Sequence, residues 1–65
     1  MLDTEFIRTR RKKLKLTQTQ AAKLAGIATN VHWSRIEAGK IKGVKLDTLA
    51  GVAKALRCKV ARLLK

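Results

Sequence analysis

Polar and apolar positions along the chain repeat with a helical period and at no point alternate long enough to suggest a strand. The pattern predicts five helical pieces with short joints. In the first, from Asp3 to Lys13, Asp3 or Thr4 is the N-cap and Glu5 sits in the first turn, where a negative charge suits the helix dipole. Ile7, Arg11 and Leu14 share one face of it. The next piece lies in "LTQTQAAKLAG". Thr17 followed three residues later by Gln20 is a capping box, Ala21 and Ala22 keep the helix thin, and Gly26 stands where it should stop.

A third helix follows in "AGIATNVHWSRIEAGK". Thr29 is the best N-cap, so Asn30 to about Ala38 is helical and Gly39 ends it. Trp33 and Ile36, three residues apart, then face inward, while Asn30, Val31, Ser34, Arg35 and Ala38 form the opposite stripe. "KIKGVK" is a basic loop. The fourth helix, Leu46 to about Leu56, presents Leu46, Leu49, Val52 or Ala53, and Leu56. "VARLL", Val60 to Leu64, is a short closing piece whose Leu63 and Leu64 can cover the core.

Length and cysteine content narrow what such helices can be. Sixty-five residues allow one small domain, read as 1–65, and a domain of this size buries only about 60% of its unfolded surface. One Cys and one His supply neither a disulfide nor the four ligands of a structural zinc site, so packing alone must hold the fold. No cofactor is expected. The lone thiol and the lack of a targeting segment suit a reducing cytoplasm.

Charge changes the picture most. Sixteen Lys and Arg against four Asp and Glu give a formal +12, a self-repulsion that an anionic partner would relieve. Nucleic acid is the first candidate and an anionic membrane surface the second, although no apolar run is long enough to span a bilayer. In "RTRRKKLK", Arg8 to Lys15, six of eight residues are basic, which suits either a solvated face or phosphate contact. An enzyme is disfavoured, since Asp3, Glu5, Glu37 and Asp47 show no paired spacing and no phosphate-cradling loop exists. No small-molecule substrate is expected.

Two short helices joined by a Gly-containing turn in a very basic domain read as a helix-turn-helix. Ala22 supplies the small residue where the helices cross, Gly26 the turn, and Trp33 and Ile36 the anchors of the second helix. Its outer face would enter a major groove. Asn30 can act as a second cap or grip adenine, and Val31 can meet thymine methyls or be simply exposed. Arg35 can read guanine or hold a phosphate. Ser34 is a neutral helix-surface residue. His32 has no partner for metal binding or catalysis, which leaves a phosphate contact or a plain surface residue. Cys58 has no plausible base.

"RTRRKKLKLTQTQAAKLAGI" with "TNVHWSRIEAGK" and "LDTLAGVAKALRCKVARLL" resembles the lambda-repressor-like (Cro and XRE) helix-turn-helix family, most of all lambdoid phage repressor DNA-binding domains. The likeness runs from Phe6 to Leu64 and rests on Arg11, Leu16, Gln18, Ala22, Gly26, Trp33, Ile36, Glu37, Gly39, Leu49 and Ala53–Leu56. It implies an all-α, compact five-helix domain with the helix-turn-helix at about 17–38.

The resemblance further implies base contacts from Asn30, Val31 and Arg35, and Ser34 beside them on the stripe joins the base-contact candidates. It implies phosphate contacts from Gln18 with the amides at its helix N-terminus and from Lys42 and Lys45; Arg11, His32 and Lys40 are further phosphate-contact candidates on charge and position. Arg11 and Glu37 would form a pair tying the first helix to the third. The sequence departs from the family in four ways, one of them Lys45 as an unusual N-cap for the fourth helix. Gly26 to Glu37 is one residue longer than the common spacing, placing an extra residue near Ile27–Ala28. Trp33 replaces an Ile or Val, and Arg57 stands where many members have Gly.

The function implied is a sequence-specific binder of double-stranded DNA. It would act as a repressor on a near-palindromic operator, as a weak or DNA-driven homodimer associated with the nucleoid. The alternative is a structural nucleic-acid binder of nucleoid or ribosomal type that uses the charge without base readout. A membrane-active cationic protein is a third class, one that seldom needs the tertiary caps seen here.

Overall fold

Three of the four helices start where a side chain can satisfy their first amides. In the computed structural model, which describes residues 2–41 and 43–65, the four are α1 (Thr4–Lys13), α2 (Gln18–Leu24), α3 (Asn30–Glu37) and α4 (Leu46–Ala55). Asp3 caps α1 by accepting from the Phe6 amide at 3.1 Å. Thr17 caps α2 in a full capping box with Gln20, and Thr29 caps α3 by accepting from the His32 amide at 3.2 Å. Only α4 begins without a side-chain cap, because Lys45 has no acceptor to offer.

All four helices end alike. The residue after each C-cap is left-handed, and it and its successor return two amides to the last turn, the Schellman arrangement. Gly26 and Gly39 take that position after α2 and α3, at φ +74° and +73°. Lys15 and Arg57 take it after α1 and α4, at φ 57° and 54°. The paired bonds are Leu16 to Arg11 and Lys15 to Lys12 in the first case, Cys58 to Ala53 and Arg57 to Lys54 in the last. A side chain in this region costs about 1–2 kcal/mol, so the two basic residues hold their turns against a local preference.

The closing piece is not a fifth α-helix. Val60–Leu63 forms one turn of 3-10 helix, too short for the 13-atom bonds of an α-helix. The described residues therefore hold four α-helices and this turn. Leu63 is buried as expected, but Leu64 is 46% exposed, because its backbone pairs with Leu2 in an isolated antiparallel bridge. The Asp3 amide donates to the Leu63 carbonyl at 2.7 Å, tying the two chain ends.

The core gathers Ile7 from α1, Ala21 and Ala22 from α2, Trp33 and Ile36 from α3, Val52, Ala53 and Ala55 from α4, and Leu56 and Leu63 beyond it. α2 packs on both α3 and α4, and α1 on α3 and the 3-10 turn. Leu46, expected on the core face of α4, is 72% exposed: the first turn of that helix projects past the core. Further along, α4 lies so close to α2 that a Cβ on Gly51 would stand 2.2 Å from the Ala25 carbonyl oxygen. Glycine is what permits that approach.

Candidate nucleic-acid interface

The geometry of α3 follows from its anchors. Trp33 and Ile36 are fully buried, the indole with its Nε1 unpartnered, and this fixes the rotation of the helix about its axis. Its remaining faces are then dictated by the 100° step between residues. Asn30, Val31, His32, Arg35 and Ala38 are exposed, and Ser34 lies half-buried at the edge of the stripe. Val31, 55% exposed, is an apolar residue presented at the N-terminal end of an otherwise polar surface.

Tilt is set at the other end. Glu37 is only 6% exposed, and both of its oxygens are occupied. Arg11 donates from Nε to Oε1 at 2.8 Å, and Gln18 donates from Nε2 to Oε2 at 2.5 Å. Arg11 is itself braced by Nη1 on the Leu16 carbonyl at 2.8 Å. One carboxylate thus joins α1, α2 and α3, and its charge is neutralised within the protein. Arg11 and Gln18, both phosphate-contact candidates, each spend donors on this clamp.

The turn between α2 and α3 passes through Ile27 and Ala28, the expected place of an extra residue. Ile27 is packed against the core and its amide donates to the Ala22 carbonyl at 2.9 Å. Ala28 is exposed and makes the remaining step to the Thr29 cap. Gly26 is the left-handed residue before them, and Ala22 is buried beneath. The turn, His32 and Thr48 of α4 surround a shallow pocket of about 270 Å³.

Among the expected flanking cations, Lys40 is exposed just after α3 and Lys45 is exposed just before α4. Lys42 lies outside the described residues. The described residues contain no group of three or more His, Cys, Asp or Glu able to hold a metal, and no helix long and apolar enough to cross a membrane.

Two residues escaped the reading of the sequence. Arg10, one position from Arg11, turns to the far side of α1 and donates from Nε to the Leu56 carbonyl at 3.0 Å, neutralising the C-terminal end of α4. Nothing in a run of six basic residues distinguishes it. Gly51 did leave a signal, since a glycine inside a helix costs about 1 kcal/mol and invites a packing explanation.

The helix-turn-helix domain family matches residues 4–64. No match is found among curated proteins. Among solved structures the chain is similar to the P22 c2 repressor protein, determined in complex with synthetic operator 9T in the presence of Tl+. The two are 38% identical over 100% of this chain and 96% of that one, with a TM-score of 0.87. Matched along nearly its whole length, the chain belongs to the helix-turn-helix domain family.

Proposed function

We propose that this protein is a sequence-specific binder of double-stranded DNA that represses transcription, with α3 inserted in the major groove of an operator. The observation that carries the reading is the whole-chain likeness to a repressor whose structure holds operator DNA. The exposed stripe on a rigidly held α3 supports it, since readout of base edges needs side chains of defined direction. A binder that used charge alone would have no need of the internal Arg11–Glu37–Gln18 clamp.

In this reading Asn30 accepts and donates at adenine N6 and N7, Val31 packs on thymine methyls, and Arg35 donates to guanine or to a phosphate beside it. Ser34 and His32 contribute at the margins of the stripe. Lys40, Lys42 and Lys45 hold phosphates on either side, which position the helix without carrying sequence information. Arg11 serves as a strut. Gln18 keeps one amide hydrogen on Glu37 and offers its other groups to the backbone of the DNA.

Two copies on a near-palindrome would place their recognition helices one helical turn, ~34 Å, apart. With +24 on the pair, association in free solution is weak and the operator drives it. Selection from randomised duplexes tests the proposal. A two-fold symmetric consensus supports it, and enrichment of no sequence overturns it.

A further inference from the structure

The basic run of α1 divides in the structure. Arg11 turns to α3, and Arg10, 100° further round the helix, turns the other way. Beside Arg10 a cleft of about 320 Å³ opens between α1 and the chain that follows α4, lined by Phe6, Arg10, Arg57, Cys58, Lys59 and Arg62. Four of these six are cationic, and none is acidic. The chain's acids are placed elsewhere: Asp3 caps α1, Glu5 is exposed in its first turn, Glu37 is clamped, and Asp47 opens α4. The cleft therefore gathers positive charge with no carboxylate to pair it, only the carbonyls that Arg10 meets, an arrangement that an anion relieves.

Two of its four cations are held in place. Arg10 is fixed by Nε on Leu56 and by Nη2 on the Arg57 carbonyl at 3.3 Å. The Arg62 guanidinium lies over the Phe6 ring, 4.9 Å from its centroid. Arg57 occupies a left-handed position that glycine would fill without strain.

The cleft also takes none of its lining from the recognition helix. α3 packs on α1 and α2, whereas the 3-10 turn packs on α1 and α4. The two surfaces thus lie on different flanks of α1, in a body measuring 24 × 21 × 18 Å. We infer that the cleft is a second phosphate-binding site, which holds the phosphodiester backbone of another DNA segment while α3 holds the first. This rests on the reading of DNA as the partner of α3. The guanidinium groups of Arg57 and Arg62 match the paired oxygens of a phosphate, Arg10 adds its charge while its Nε and Nη2 stay on carbonyls, and Lys13, exposed one turn beyond Arg10 on the same face, extends the positive field along α1. That extension suits a continuous polyanion better than a single acidic side chain.

The experiment captures two duplexes on one protein. A selected operator duplex is immobilised, saturated with the protein and washed, and a labelled duplex without the operator is then added. The parent retains the labelled duplex. A variant combining Arg57→Gly, Lys59→Ala and Arg62→Ala retains roughly tenfold less, while its affinity for the operator stays within about threefold. Arg57→Gly alone, which removes backbone strain and so keeps the fold, lowers retention measurably.

Equal retention by parent and variants overturns the inference, as does no retention by the parent. Retention of a labelled oligo-glutamate peptide in place of the second duplex overturns it in favour of an acidic polypeptide. Failure of the operator duplex to hold the protein in the first step contradicts both this inference and the reading of α3, and is seen before the second duplex is added.

Discussion

Arg11 Nε lies 2.8 Å from Glu37 Oε1 and joins α1 to α3 across 26 residues of chain. The carboxylate is nearly inaccessible, so its charge is compensated by this contact and by Gln18, not by water. Removing one partner of a buried pair leaves the other uncompensated, at a cost of about 3–5 kcal/mol. Glu37→Ala should therefore leave the protein largely unfolded near room temperature, and Glu37→Gln should lose less. Thermal melts followed by circular dichroism check this; a variant melting like the parent would mean that the clamp does not hold α3.

Gly51→Ala tests the approach of α4 to α2. In an isolated helix the change is worth about 1 kcal/mol of added stability. Here the new methyl meets the Ala25 carbonyl oxygen, a backbone atom that cannot swing aside. Overpacking of this kind costs about 1–3 kcal/mol, so the net effect is destabilising. A melting temperature lower by several degrees is expected, at about 4–8 °C per kcal/mol for a domain of this size.

Lys15→Gly should act in the opposite direction. Lys15 sits at φ 57° and its exposed side chain makes no hydrogen bond among the described residues, so glycine removes strain without removing such a bond. After the entropy that glycine loses on folding, a gain of about 0.5–1 kcal/mol remains. A denaturant midpoint shifted upward with an unchanged slope is the expected result.

The thiol of Cys58 offers a pH-dependent readout of the basic cleft. Burial raises its pKa, and the nearby charges of Arg10 and Arg62 pull it down without cancelling the rise. Only the thiolate reacts with alkylating agents, and a raised pKa leaves less of it at any pH below that value. Alkylation at about pH 8 should thus be slower than for free cysteine, and should keep climbing at pH values where free cysteine has levelled off. Mass spectrometry of iodoacetamide-treated protein, native and urea-unfolded, follows both rates.

What could be read from the chain was mostly what local chemistry decides. Thr17 and Thr29 announce helix starts through their own hydroxyls, and Gly26 and Gly39 announce stops through a conformation that glycine alone adopts freely. The exposed stripe of α3 follows by arithmetic once Thr29 and Trp33 are placed. Lys15 and Arg57 hid the other two stops, because nothing about a basic residue suggests a left-handed backbone. Periodicity put Leu46 on the inner face of α4, yet it cannot tell how far the core extends along a helix. The bridge between Leu2 and Leu64, the turn of Arg10 toward α4 and the approach at Gly51 all join parts distant in sequence, and no local pattern encodes them.

The most direct test of α3 as a reader of sequence compares the parent with Asn30→Ala, Val31→Ala and Arg35→Ala on the selected duplex and on a shuffled one, at one fixed salt concentration. The parent should prefer the selected duplex by at least ~10³-fold, and each variant should lose about 1–3 kcal/mol of that preference at its own base pair. A preference near one for the parent, or equal weakening by each variant on both duplexes, would contradict base readout by this helix.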